Sequence, residues 1–186
     1  MGGQARLVPV AADVAGSAKL LNCFHEVPCM RIREITGDLQ GHTGVGVATY
    51  LLRRNGSTIE VLLLRRATRR FLGHWFPIEG MIEVGETAEQ ATLREVREET
   101  CIDPGEFFRE QREPVLSAVT GLSIYVFVGF ADPSAQVVIN GEHSEFVWLT
   151  PAEAEVRLAL PEQRAALRRI SETFIAKRPE DTLRVF

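Results

Sequence analysis

Gly80-Met81-Ile82-Glu83-Val84-Gly85-Glu86-Thr87-Ala88-Glu89-Gln90-Ala91-Thr92-Leu93-Arg94-Glu95-Val96-Arg97-Glu98-Glu99-Thr100-Cys101-Ile102 is the stretch on which the fold and the chemistry of this chain turn. Thr87 with Gln90 three residues later has the pattern of a capping box, so a helix should begin there. Ala88, Ala91, Leu93 and Val96 give that helix an apolar stripe, and Asp103-Pro104-Gly105 ends it after about Thr100. Glu95, Glu98 and Glu99 then stand at i, i+3 and i+4 and share one face. Like charges at these spacings destabilise a helix by roughly 0.2–0.5 kcal/mol per pair, and only Arg94 with Glu98 offsets them. A solvated or packing face would gain nothing from this arrangement. Clustered carboxylate oxygens do suit a hard divalent cation, Mg²⁺ or Mn²⁺, which also takes oxygens from phosphate.

Charge distribution points the same way. Residues 79–103 carry eight acids and two bases, a net of -6 in a chain whose formal net charge is -4. So acidic a segment repels a phosphate substrate unless cations intervene.

The stretch resembles the Nudix box: Gly, five residues, Glu, seven residues, Arg, Glu, aliphatic, any, Glu, Glu, any, Gly, aliphatic. Gly80, Glu86, Arg94, Glu95, Val96, Glu98, Glu99 and Ile102 fill eight of its nine specified positions, and Cys101 stands where the family has glycine. The resemblance implies an α/β/α sandwich with a mixed central sheet. It implies metal ligands at Glu95, Glu98 and Glu99 and at the backbone carbonyl of Glu79, with Glu86 a weaker contributor nearby and Arg94 orienting the glutamates. The proton of the attacking water falls in this family to a box glutamate, Glu95 or Glu98 here, or to an acid in a later loop. Glu142 and Glu145, flanking His143 ahead of Phe146-Val147-Trp148-Leu149, supply such an acid, and Glu142 is the favoured one. Gly80 and Gly85 are expected in the loop between strand and helix. At Cys101 a left-handed cap costs a non-glycine residue about 1–2 kcal/mol, so the helix either bears that cost or ends differently.

Outward from the box, Val45–Leu52 and Thr58–Leu64 are rich in aliphatic residues and flank Asn55-Gly56, which predicts an antiparallel hairpin. Val115–Val119 and Leu122–Phe130 read as strands, and Val137–Ile139 with Phe146–Leu149 as a pair about the turn Asn140-Gly141. Thr150-Pro151 opens a helix, and Pro161–Lys177 is an amphipathic helix with Leu167, Ile170 and Phe174 at core spacing. Residues 1–40 read as an N-terminal extension that packs on the domain or on a second subunit of a homodimer, with a short strand near Arg31–Ile35; residues 41–186 form the domain.

The composition, 45% hydrophobic and 25% charged over 186 residues, is that of one globular domain with a real core. No apolar run approaches a membrane span, and Pro9 and Asp13 interrupt the only stretch resembling a leader, so a cytoplasmic location is expected. Cys23, Cys29 and Cys101 form neither a disulfide framework nor a zinc pattern.

Arg66 and Arg70, with Arg65 and Arg69, precede the box and suit substrate phosphates; Trp75 offers a face for a base or a core anchor, and Gly80 a close backbone approach. These features predict a metal-dependent pyrophosphohydrolase cleaving a diphosphate bond in a nucleoside diphosphate linked to another group, with a nucleoside triphosphate favoured. The partner is then a small nucleotide, neither a nucleic acid polymer nor a membrane. The alternative is a regulatory Nudix module that binds nucleotide without turnover; such modules usually have eroded box glutamates, and this box keeps all of its own. The family's isomerase branch needs a catalytic cysteine upstream of the box, and neither Cys23 nor Cys29 lies in a recognisable context for one.

Overall fold

The structure, a computed structural model, describes residues 42–176 and 183–185; the expected extension, its strand near Arg31–Ile35 and Cys23 and Cys29 lie outside the described residues. The chain runs β1 (His42–Asn55), β2 (Thr58–Arg66), β3 (Trp75–Phe76), β4 (Ile78–Glu83), α1 (Ala88–Thr100), β5 (Glu106–Arg109), β6 (Val115–Leu116), β7 (Ser123–Phe130), β8 (His143–Leu149), α2 (Pro151–Arg157) and α3 (Pro161–Ile170). A π-helical turn over Ser171–Ile175 continues α3.

β1 is the axis of a mixed sheet. It pairs in parallel with β7 from Val45↔Ser123 to Leu52↔Phe130, and antiparallel with β2 and β4 along the other side. The Asn55-Gly56 turn forms as expected: Asn55 opposes Thr58, and Gly56 takes φ 60°. Successive residues of a strand face opposite sides, and the core splits accordingly. Leu51, Leu62, Leu64 and Ile78 pack with Ala91 and Val96 of α1, whereas Tyr50, Leu52, Val61 and Leu63 pack with Leu158, Leu167, Ile170 and Phe174 beneath α2 and α3. Helices therefore cover both faces, which is the expected α/β/α sandwich. Burying Leu167 completely anchors α3, and truncating such a residue to alanine costs about 2–5 kcal/mol.

The helix starts are set by local sequence. Thr87 Oγ1 accepts from the Gln90 N–H at 3.2 Å while Gln90 Oε1 accepts from the Thr87 N–H at 2.9 Å. Thr150 and Glu153 repeat the arrangement at α2, with Pro151 in the first turn. α1 ends at Cys101, which adopts the left-handed conformation at φ 55° and donates its N–H to Arg97 O at 2.9 Å. The chain thus uses the glycine-type cap without the glycine.

Three expectations need correction. Gly80 lies within β4, opposite Val47, and not in the loop; Gly85 does occupy that loop, at φ 88°. The strand expected over Val115–Val119 stops at Leu116, because Ser117 O and Oγ accept from the Gly121 and Thr120 N–H groups in a tight turn. Val137–Ile139 forms no strand: Val137 and Ile139 pack on the α1-side core, and the Val138 N–H goes to Thr100 O. The partner of β8 is β2. β5, which the sequence did not suggest, hydrogen-bonds along β7 from Glu106↔Phe130 to Arg109↔Phe127.

Candidate active site

β4 and α1 bring the box together. Gly80 lies directly under Glu95: a Cβ built on Gly80 would fall 1.8 Å from Glu95 Oε1, so the strand admits no side chain there. Above it, Arg94 holds the acidic residues in place. Its Nε donates to Glu86 Oε1 at 3.0 Å and a terminal nitrogen to Glu86 Oε2 at 3.0 Å, a two-pronged contact. The same nitrogen reaches Met81 O at 2.9 Å, and the other reaches Glu95 Oε1 at 2.6 Å and Glu98 Oε2 at 3.3 Å. Glu86 also accepts from the Glu83 N–H at 3.1 Å. Burial disfavours the Glu86 carboxylate, but the Arg94 and backbone hydrogen bonds outweigh it and hold the group below the usual range. Glu86 is thus committed to Arg94.

Glu95, Glu98 and Glu99 share one end of α1 but not one environment. Glu98 is half-exposed. Glu95 is largely buried, and desolvation pushes its carboxyl up to about 7 against the opposing pull of Arg94. Glu99 is 2% exposed; burial raises it well above the carboxylate range, and the charges of Glu95, Glu142 and Glu79 add to that. Its Oε2 has no hydrogen-bond partner. Among the described residues no three His, Cys, Asp or Glu side chains converge as a ready-made metal cage. Arg94 draws Glu95 and Glu98 to its own side. An orphaned buried carboxylate oxygen with anionic neighbours is nonetheless a donor set that a hard cation fits, particularly one that completes its shell with water and substrate oxygens.

β2 and β8 form the opposite wall. Here two residues of β8, His143 and Ser144, oppose the single residue Arg66 of β2. Such a bulge turns the following side chain to the other face. Val147 and Leu149 point toward α2 and α3, yet His143 faces α1, where its Nε2 stands 3.9 Å from Glu99 Oε2. His143 is buried, and burial, seconded by Arg66, lowers its imidazole to about 4. In the sequence His143 stands only as the residue between two glutamates: plain alternation along β8 would put it on the other face, and the bulge has no sequence signature.

The other expected site residues are distributed unequally. Glu142, exposed and 3.7 Å from an Arg66 terminal nitrogen, is near enough to Glu95 and Glu99 to raise both carboxyls. Glu145 is drawn away by Arg65 at 2.7 Å. The half-buried Glu79 turns its carboxylate toward α3, where Gln163 Nε2 donates to it at 2.6 Å, leaving only its backbone on the β1–β4 ladder. Arg66 lies over the Phe76 ring at 5.4 Å, and Arg70 over Phe71 at the same distance. The half-buried Trp75 packs on the α2–α3 core under Arg157, at 5.6 Å, in keeping with the anchor role expected as one of its two.

The match to the NUDIX domain spans residues 42–174, so the chain belongs to the NUDIX family and is a Nudix hydrolase, a class that acts on phosphoanhydride bonds. It is 30% identical over 120 residues to the asymmetrical bis(5'-nucleosyl)-tetraphosphatase of Mus musculus, a match spanning 62% of this chain and 80% of the mouse protein. A putative nudix hydrolase 1 of Caenorhabditis elegans is 45% identical over 53 residues, but these make up 28% of this chain and only 14% of the worm protein. Among solved structures, a binary complex of the C. elegans Ap4A hydrolase superposes with a TM-score of 0.62 at 25% identity, covering 70% of this chain and 98% of that one.

Proposed function

We propose that this chain is a divalent-metal-dependent pyrophosphohydrolase whose substrate is a nucleoside joined through a polyphosphate to a second group, a dinucleoside tetraphosphate first among them. The observation that carries this reading is the buried, unpartnered Oε2 of Glu99, on which the negative charges of Glu95, Glu142 and Glu79 act. Glu95, Glu98, Glu99 and the Glu79 carbonyl would hold Mg²⁺ or Mn²⁺. Bound there, a divalent cation supplies neutralisation of phosphate charge and a lowered pKa for the attacking water. Gly80 leaves the space in which Glu95 lies, and Arg94 fixes the directions of Glu95 and Glu98. Arg66 and Arg70 would meet the phosphates left uncovered. Glu142 is the side chain proposed to take the proton of the water as its oxygen joins phosphorus and the phosphoanhydride bond breaks.

Kinship with the mouse tetraphosphatase and the worm Ap4A hydrolase moves the preferred substrate from a nucleoside triphosphate to a dinucleoside tetraphosphate. Asymmetric cleavage of diadenosine tetraphosphate would release ATP and AMP. The test is chromatography of products from the purified full chain with Mg²⁺ or Mn²⁺ against dinucleoside polyphosphates, nucleoside triphosphates, nucleotide sugars and dihydroneopterin triphosphate, with Glu98→Gln as control. ATP and AMP in equal amounts, lost on chelation and in the control, support the proposal. Tight nucleotide binding without turnover of any member overturns it in favour of the regulatory module.

A further inference from the structure

His143 and Glu99 face each other across the site in a way that neither side chain accounts for alone. Asn140 Oδ1 accepts from the Glu142 N–H at 3.0 Å and lies 3.3 Å from His143 Nδ1. An amide oxygen can only accept, so Nδ1 carries the imidazole proton and Nε2 presents a bare lone pair. Glu99 Oε2, a second acceptor when its carboxyl is ionised, lies 3.9 Å from that nitrogen. Both atoms are buried and both are without a hydrogen-bond partner. The two side chains are almost completely shielded, at 1% and 3% exposure, and the separation exceeds hydrogen-bond length. With Glu99 ionised, two buried acceptors at this separation require a positive or donating group between them.

We propose that His143 Nε2 is a nitrogen ligand of the catalytic cation and shares it with Glu99, an inference that rests on the metal-dependent reading above. Two metal–ligand bonds of about 2.1 Å span at most about 4.2 Å, so the gap of 3.9 Å admits one first-row cation with little adjustment. The hydrogen bond from Nδ1–H to a fixed oxygen is the arrangement that orients ligating imidazoles. Of the charges that act on Glu99, Arg66 is positive and Glu95, Glu142 and Glu79 are negative, so the local field favours an added positive ion. The α1 ligands proposed above, substrate phosphates and water would complete the shell, which accords with the lack of a closed cage among the described residues. An imidazole in the shell also biases the site: it raises affinity for Mn²⁺, and more so Co²⁺, relative to Mg²⁺.

The test is electron spin-echo envelope modulation of Mn²⁺ bound to the full chain, with calorimetry of Mn²⁺ and Mg²⁺ binding alongside. The expected result is a remote-imidazole nitrogen modulation that changes on ¹⁵N-histidine labelling, disappears in His143→Gln and persists in His74→Gln. In His143→Gln Mn²⁺ should bind about 10- to 100-fold more weakly than in the wild type, with a much smaller loss for Mg²⁺. Mn²⁺ bound to the wild-type chain without imidazole modulation overturns the ligand assignment and leaves the metal reading intact, whatever the stability of the variants. Failure of the wild-type chain to bind Mn²⁺ at all overturns both.

Discussion

The two walls of the site differ in how their polar atoms are satisfied. On the β4–α1 wall Arg94 binds Glu86, Glu95 and Glu98 and a backbone carbonyl, so one guanidinium neutralises a run of carboxylates. Where α1 faces the β2–β8 wall, Glu99 of α1 and His143 and Arg66 of that wall each leave a buried nitrogen or oxygen atom without a hydrogen bond. Buried polar atoms left unpaired cost about 1–3 kcal/mol each, and more when charged. A protein built only for stability would not keep them. The carboxylates that Arg94 holds, the finished wall, are therefore paired within the chain, whereas the atoms between Glu99 and His143, the open wall, are not, and the proposed cation would complete them.

The sharpest way to break this contrast is Glu99→Gln. The amide keeps the shape of the open wall and removes its charge, so kcat should fall on the order of 100-fold or more while the metal-free fold becomes no less stable. Steady-state kinetics with thermal melts in chelator would show it; a melt lowered by several degrees would mean that the carboxylate is a structural requirement. Arg94→Gln attacks the finished wall. Removing one partner of largely buried pairs leaves uncompensated charge, and a loss of about 3 kcal/mol in urea unfolding is expected.

Acidity separates the walls more gently. Glu95, at about 7, and Glu99 hold folded-state values above their unfolded ones, so below neutrality the folded form binds more protons than the unfolded chain. Stability of the metal-free protein should therefore rise as pH falls from about 8 to 6.5. His143, lowered to about 4, acts oppositely below its unfolded value of about 6.5, and the rise should flatten there. Melts across this range, with and without Mn²⁺, test this: the metal should raise the melting temperature most at the alkaline end. The smallest effect is expected outside both walls. Cys101→Gly relieves a left-handed residue and should stabilise the fold by about 1 kcal/mol, measured by denaturation, with unchanged turnover.

The finished wall was the legible one. Thr87, Gln90, Arg94 and the three glutamates of α1 lie within one helix, where spacing alone dictates which residues meet. Arg94's grip on Glu86 follows from the same 23-residue motif. Gly80 was misplaced because its constraint comes from a side chain 15 residues later and not from a turn. β5 escaped notice since Phe107 and Phe108 are too short an apolar run to signal a strand; its partner β7 defines it from a distance. Val137–Ile139 misled in the opposite sense, with strand-like residues whose apolar side chains are satisfied by packing. The open wall depends on a bulge between strands far apart in sequence, so its key imidazole could not be placed by counting.

β5 carries a consequence of another kind. At its outer side Arg184 bridges to Phe108, and the Val185 N–H donates to Phe107 O at 2.8 Å. A bare outer strand is a template on which neighbouring molecules can add strands and precipitate. The segment Leu183–Val185 occupies that position, so the chain covers this flank of β5 with its own residues and leaves less backbone free there to template a neighbour.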